Sequence, residues 1–247
     1  MSQSSLAQLT DLRDRYLDGS YLNSNPDWHT ADSAWKAAHV ERMIGAHRLA
    51  IGTVCEVGCG AGEILRQLWR RHHDHASFVG YEISPDAHAL AQTRSAQGLE
   101  FRLEAPTARG EHYDLMLLMD VVEHVSDCAG FLQSLCPIAD RVIMHIPLEL
   151  SIQALLRRGR LQRSREILGH LHFFTADLAL ALVRDAHFEI LDVVYTSSGI
   201  DRPPQSVLAS VARHPRRLLR RLNEPLAARV LGGFALLVLA TPRDHPS

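Results

Sequence analysis

Val54-Cys55-Glu56-Val57-Gly58-Cys59-Gly60-Ala61-Gly62 is the stretch whose reading decides the fold. An apolar start, an acidic residue and three alternating glycines describe a strand that turns abruptly into a helix. Glycine carries no Cβ, so such a turn takes φ > 0 and lets a ligand lie against bare backbone. The helix that follows points free N–H groups at that ligand. The arrangement suits an adenosine-bearing cofactor. A dinucleotide fingerprint needs glycines at 58, 60 and 63, and position 63 is Glu. An ordinary strand–glycine turn–helix without a ligand is the plain alternative, and the downstream spacing weighs against it.

The bulk properties bound the answer. A chain of 247 residues buries one substantial core, and a single domain with insertions is the simplest reading. A hydrophobic content of 46% and a charged content of 22% are ordinary for a globular protein. The net charge of −2 supplies no global drive toward nucleic acid or an anionic membrane. The 15 histidines turn the molecule cationic under mildly acidic conditions. Met1-Ser2-Gln3-Ser4-Ser5 has neither the basic region nor the apolar run of a secretory signal. The longest apolar run, near Leu231 to Ala240, is about half the ~20 residues of a membrane span. Cys55, Cys59, Cys128 and Cys136 form no C-x-x-C pair, so neither a zinc site nor a disulfide framework is expected, and a reducing cytoplasm fits.

Outward from the glycine stretch, strand and helix signals alternate. Strands are expected over Thr53–Val57, Ser77–Ile83, Leu99–Leu103, Tyr113–Met119, Arg141–Ile146 (closed by Pro147), Phe188–Tyr195 and Phe234–Ala240. Helices fall over Glu63–His72, from the Ser84-Pro85 cap pair to Gly98, over Asp127–Leu135, and from the Thr175 cap through Ala186. Tyr113–Met119 is nearly all apolar, as a parallel strand covered on both faces requires. The alternation predicts an α/β protein with a doubly wound, seven-stranded, mostly parallel sheet. Residues 1–50 read as an N-terminal helical lid, with helical patterns over 5–18 and Ser33–His47. Trp28, His29, Asp32, Trp35 and Lys36 lie in or beside its second half. Residues 51–247 read as the main domain, with helical insertions at about 148–172 and 200–230.

Both insertions are rich in arginine: Arg157, Arg158, Arg160, Arg163 and Arg165 in the first, Arg213, Arg216, Arg217, Arg220 and Arg221 in the second. Basic runs on helices are most often solvated faces. The other readings are an anionic substrate, a phosphate or a membrane surface, and Leu218, Leu219 and Leu222 make the second run amphipathic.

Open α/β sheets bind ligands outside the carboxyl ends of their strands, so those ends are read together. The first supplies Glu56, Gly58, Cys59, Gly60 and Gly62. The second supplies Glu82 and Ile83, and Glu82 lies 20 residues past Gly62. A carboxylate there matches the two hydroxyls of a ribose. The pattern Glu56-x-Gly58-x-Gly60-x-Gly62 resembles motif I of the class I S-adenosylmethionine (SAM) methyltransferases, and the resemblance runs from about residue 50 to 240. It implies SAM as cofactor, with the ribose at Glu82 and the adenine near the third strand end. By direct alignment the adenine-side acid of that family falls on Ala105, and Glu104 is the substitute. Asp120-Val121-Val122-Glu123-His124 is similar to a segment of the ubiquinone-biosynthesis O-methyltransferases. That similarity places Met119 and Asp120 beside the methionine part of SAM.

Asp120, Glu123 and His124 are expected on one first helical turn, where they converge. Glu123 and His124 then pin a loop, His124 acts as general base, or the trio holds a divalent ion. Three ligands in sequence are few, and no metal is assigned. His145 precedes Ile146-Pro147, and Gly169-His170-Leu171-His172-Phe173-Phe174-Thr175 resembles the stretch that borders the acceptor pocket in this family. His124, His145, His170 and His172 are therefore the candidate bases, each with a purely structural alternative. The expected function is SAM-dependent methyl transfer to a small-molecule acceptor, at oxygen by preference and with room for an anionic one. The chain lacks the Asn-Pro-Pro-Tyr-type motif and the charge of a nucleic-acid methylase. A membrane-associated lipid or quinone methyltransferase and a SAM-binding module without turnover are the alternatives.

Overall fold

The computed structural model describes residues 30–202 and 216–243. The expected helix over 5–18, Trp28, His29 and Arg213 lie outside these residues. In chain order the elements begin with α1 (Thr30–His47), β1 (Thr53–Val57), α2 (Glu63–His72), β2 (Ser77–Glu82), α3 (Pro85–Gln92) and β3 (Leu99–Leu103). They continue with β4 (Tyr113–Met119), α4 (Cys128–Leu135), β5 (Ala139–Leu148), α5 (Ile152–Leu156) and α6 (Arg160–Arg163). The last are α7 (Ala176–Asp185), β6 (Phe188–Thr196), α8 (Ser198–Asp201), α9 (Glu224–Leu231) and β7 (Phe234–Pro242). Residues 216–222 are also helical.

The seven strands form one sheet in the order β3-β2-β1-β4-β5-β7-β6. β1 pairs in parallel with both β2 and β4, β2 with β3 in parallel, and β6 with β7 in antiparallel register. The strand order reverses between β1 and β4, which is where an open sheet of this kind offers its ligand crevice. This is the doubly wound architecture expected from the alternation of patterns. β5 runs further than expected, through Pro147 to Leu148. Proline fits a strand wherever its missing N–H is not needed by the ladder. The helix opened by Ser84 and Pro85 ends at Gln92, earlier than Gly98, because a short turn pairing Ala96 with Leu99 leads into β3.

By its contacts the chain divides into two compact units. One holds the residues up to Met119 together with Ser134–Ile143, and the other holds Asp120–Gln133 and the residues from Met144 onward. In the first, the apolar run of β4 is fully buried at Leu115, Met116, Leu117 and Leu118, together with Phe78 and Tyr81 of β2. The start of β4 is tied to β1 by Asp114, whose carboxylate accepts from Gly52 N, Thr53 N and the Thr53 hydroxyl. A polar cluster beside it links β2, β3 and β4. Tyr81 and Tyr113 share a hydroxyl contact of 2.6 Å, and Glu111 accepts from both phenols and from Arg102.

β2 lies so close to its neighbours that it has a glycine at its centre. A Cβ on Gly80 would stand 2.5 Å from Phe101 of β3 and 2.8 Å from the Cys59 sulfur. Replacing Gly80 by Ala is therefore expected to destabilise the protein by about 1–3 kcal/mol, the usual range for overpacking. Urea denaturation of the two proteins measures it, and equal midpoints with equal slopes would refute it.

Candidate active site

The glycine stretch forms the bare-backbone turn its composition calls for. Gly58, Gly60 and Gly62 all take positive φ (70°, 54° and 75°), which L side chains rarely adopt. The turn is fastened to β2 twice. Gly58 N and Cys59 N both donate to the Tyr81 carbonyl, at 2.9 and 3.1 Å. Gly60 N donates to Glu82 Oε2 at 2.8 Å. Gly62 also admits Phe101, which a Cβ there would meet at 2.4 Å, so the third glycine sets the packing of α2 on β3. Gly62 at the N-cap has no side chain to cap α2, and the Glu56 carboxyl takes the Leu65 N–H of the first turn; the start of the helix still presents positive dipole to a ligand.

Glu82 is buried, and its second oxygen accepts from Ile83 N and Ser84 N at 2.7 and 2.8 Å. A carboxylate offers about four lone-pair sites, so one on Oε2 is left for a ribose hydroxyl. Burial pushes the Glu82 carboxyl above its ordinary value, and the three backbone donors oppose that rise. Glu104 Oε1 pairs with Arg109 Nε at 2.7 Å. At the ends of β2 and β3, Ile83 and Leu103 are 47% and 48% exposed. Two open apolar side chains of one unit suit the faces of a heteroaromatic ring. Leu103 escaped the sequence reading, in which only charged or glycine residues carried a signal at that strand end.

Glu56 is the most unusual group of the first unit. It is buried at the end of β1, and among the described residues its Oε2 has no hydrogen-bond partner. Burial pushes its carboxyl up to about 8; the Lys36 charge and the Leu65 N–H lower it, and the Glu82 charge raises it. A buried acceptor without a donor fits a cationic N–H group, such as the α-ammonium of SAM. The glycine turn, the remaining Glu82 lone pair and this orphaned oxygen together fit the cofactor. Bound there, SAM supplies a methyl already made electrophilic by its sulfonium. Cys55 and Cys59 are buried free thiols in the same stretch, and burial raises both well above the ordinary thiol range.

The second unit holds the four candidate histidines. Asp120 follows Met119, buried at the end of β4, and takes φ 59°, a left-handed backbone at a non-glycine residue. Its N–H donates to the His145 carbonyl at 3.0 Å, and its Oδ1 lies 2.5 Å from His145 Nδ1. His145 Nε2 lies 3.0 Å from the Thr196 hydroxyl. Both ring nitrogens of His145 are thus engaged in holding Asp120. The expected convergence of Asp120 with Glu123 and His124 does not occur, because the left-handed turn sends Asp120 to His145. Val122–His124 is a single 3-10 turn rather than the start of an α-helix. Glu123 and His124 meet His170 instead, with ligand atoms within 4.8 Å of one another.

The 169–172 stretch is sewn to that turn. Leu171 N and His172 N donate to the Glu123 carbonyl, and His124 Nδ1 lies 3.3 Å from the Gly169 carbonyl. His172 Nε2 reaches the Ser126 carbonyl at 3.2 Å. His170 is buried, with its Nδ1 2.5 Å from Glu149 Oε2. Burial pushes the Glu149 carboxyl up, but the His170 hydrogen bond and charge, the Ser164 hydroxyl and the Arg160 charge outweigh it and hold the group below its ordinary value. Glu149 was not among the residues singled out from sequence; it lies 21 positions from its partner, and no local pattern marks it.

The family model described as a methyltransferase domain matches residues 28–193, and the chain belongs to that family. That family places it in the methyltransferase class. It is similar to the ubiquinone biosynthesis O-methyltransferase of Methylobacterium sp. (strain 4-46), with 31% identity over 104 residues. That match covers 40% of this chain and 41% of the relative, so the chain spans about two fifths of that protein's length. Among solved structures, the plantazolicin methyltransferase BpumL, crystallised with a desmethylPZN analog and S-adenosylhomocysteine, superposes with a TM-score of 0.59 at 12% identity. The superposition covers 96% of this chain and 99% of that one. Magnesium protoporphyrin IX methyltransferase from Synechocystis PCC 6803 gives 0.54 at 17% identity, covering 85% and 83%. At these identities both speak for the fold. Among the described residues no helix is long and apolar enough to cross a membrane.

The raised Glu56 carboxyl predicts a pH dependence of stability and of cofactor binding. A carboxyl whose folded value is raised from 4.5 to about 8 holds its proton more tightly in the native state. Its contribution to stability is whole below 4.5 and is lost as pH rises toward 8. The cofactor-free protein is expected to lose stability over that range, and Glu56→Gln to flatten the loss; parallel melting curves for the two proteins would refute this. A bound ammonium favours the ionised carboxylate, so SAM binding near neutrality should release a proton. Calorimetry in two buffers of different ionisation enthalpy detects it, and identical heats would count against the placement.

Proposed function

We propose that the protein transfers the methyl group of SAM to an oxygen of a small-molecule acceptor, with His170 as general base. The observation that carries this reading is the Glu149–His170 pair. A buried imidazole has one nitrogen 2.5 Å from a carboxylate, while its other nitrogen receives no hydrogen bond from any described residue. Of the four candidates it is the one with this arrangement. His145 has both nitrogens engaged, His124 is bound to the Gly169 carbonyl and His172 to the Ser126 carbonyl.

Glu149 accepts the Nδ1 proton of His170, which leaves Nε2 as the basic nitrogen. Nε2 takes the acceptor hydroxyl proton as that oxygen forms its bond to the methyl carbon. The electron pair of the breaking carbon–sulfur bond stays on sulfur. Glu149 then stabilises the imidazolium, and Ser164, donating to the other Glu149 oxygen at 2.8 Å, keeps the carboxylate in place. His145 positions the Asp120 turn and takes no proton. In the first unit, Glu56 and Glu82 hold the amino and ribose parts of the cofactor, and Ile83 and Leu103 flank its ring. Similarity to the ubiquinone biosynthesis O-methyltransferase supports oxygen as the methylated atom.

Hydroxylated small molecules screened for release of S-adenosylhomocysteine will identify a working acceptor. With it, His170→Gln is expected to lower kcat by about 10²–10⁴-fold, the usual worth of a general base. Affinity for S-adenosylhomocysteine should stay unchanged. A His170→Gln enzyme with wild-type kcat would remove the base from this position.

A further inference from the structure

The insertion between β5 and α7 is dominated by cations and leucines. Gly159 takes φ 74° between Arg158 and Arg160, a left-handed turn that starts α6 and folds the chain back on itself. Arg160 N donates to the Arg157 carbonyl, and Arg163 N to the Gly159 carbonyl. The turn borders an open cavity of about 390 Å³ whose lining includes Arg157, Arg158, Arg160 and Arg163, with Ser164 and Ile167 beside them. That volume falls within the ~300–1,000 Å³ of small-molecule sites. Among the described residues none of these four arginines has a carboxylate within ion-pair distance. Gln162 donates to Glu166, the one acid between Glu149 and Asp177. Arg160 acts on Glu149 only through its field, and the charge of Arg157 falls on another cation, Arg216.

A guanidinium is a planar fork of donors that matches phosphate oxygens in pairs. Four arginines line the one cavity with no described carboxylate beside them, so their guanidinium groups are available to an anion that enters. A carboxylate satisfies one or two of them, whereas a phosphate or diphosphate has the charge and the oxygens for several. The wall of the cavity also leads to the base. Ser164 lines it and donates to Glu149 Oε1 at 2.8 Å, and Glu149 Oε2 holds His170 Nδ1.

We propose that this cavity binds the phosphate group of the acceptor, which makes the acceptor a phosphate-bearing hydroxyl compound. The link to the acceptor rests on the reading of His170 as base; the phosphate site itself does not. Leu155 and Leu156, 65% and 80% exposed just before Arg157, leave two sources for that phosphate: a soluble compound or a lipid headgroup.

Titration of the full chain with inorganic pyrophosphate, followed by calorimetry, tests the site. The wild type should bind, and an Arg160→Gln/Arg163→Gln variant should bind at least about tenfold more weakly, the scale of losing charge-assisted hydrogen bonds. Unchanged S-adenosylhomocysteine affinity checks that the variant is folded. A second arm sediments both proteins with phosphatidylcholine vesicles, with and without phosphatidic acid. Binding confined to the acidic vesicles, and lost in the variant, assigns the phosphate to a lipid headgroup and upholds the site. Wild type and variant behaving alike in both arms, or a wild type that binds neither probe, overturns it. His170→Gln should bind pyrophosphate as the wild type does. If that variant keeps full turnover, the base is misassigned while the cavity stands; if the wild type ignores both probes, the cavity falls while the base stands.

Discussion

Much of the first unit depends on one carboxylate accepting three backbone N–H groups. Glu82 binds Gly60 N with one oxygen and Ile83 N and Ser84 N with the other. It therefore joins the glycine turn after β1 to the exit of β2, and it does so while buried. The three positive-φ glycines are conformationally expensive to order. Hydrogen bonds to a charged acceptor, worth roughly twice those to a neutral one, offset that cost. Beyond these three bonds about one lone pair remains, so a ligand hydroxyl would share this carboxylate with the architecture. Removing it unties Gly60 of the turn from β2.

The second unit solves an equivalent problem with a different device. Asp120 occupies a left-handed backbone conformation that costs a non-glycine residue on the order of 1–3 kcal/mol. The His145 carbonyl and imidazole, backed by Thr196, over-determine it. Strain of this size persists only where surrounding contacts hold it. Here it turns the chain sharply after β4, so that Glu123 and His124 meet the 169–172 stretch. His124, the imidazole nearest in sequence to the strand end, is thereby bound to the Gly169 carbonyl, while His170, far along the chain, brings its own carboxylate.

Legibility followed sequence distance. The glycine turn, the apolar β4, the Ser84 and Thr175 caps and the strand alternation are written in runs of a few residues, and each formed where its pattern lay. The pairings that define the second unit join positions far apart: His145 with Thr196, His170 with Glu149, Arg216 with Gln153. No periodicity marks such partners, because register and turn geometry bring them together. The arginine runs show the same limit. Arg216 and Arg220 look like members of one exposed basic face, yet Arg216 donates to Gln153 and the Leu231 carbonyl, and Arg220 pairs with Asp201 and Glu224. Composition reveals the charge but not whether it is already spent.

The two cysteines of the glycine stretch carry a consequence for the enzyme's durability. A sulfonium donor alkylates whatever good nucleophile it meets, and among side chains the thiolate is the most eager. Cys55 and Cys59 lie in the stretch whose bare backbone fits such a donor, but burial keeps both in the protonated, sluggish form. Burial first, and the Glu56 and Glu82 carboxyls after it, thus keep the sulfurs protonated, so a methyl donor lying against this turn would meet thiols rather than thiolates.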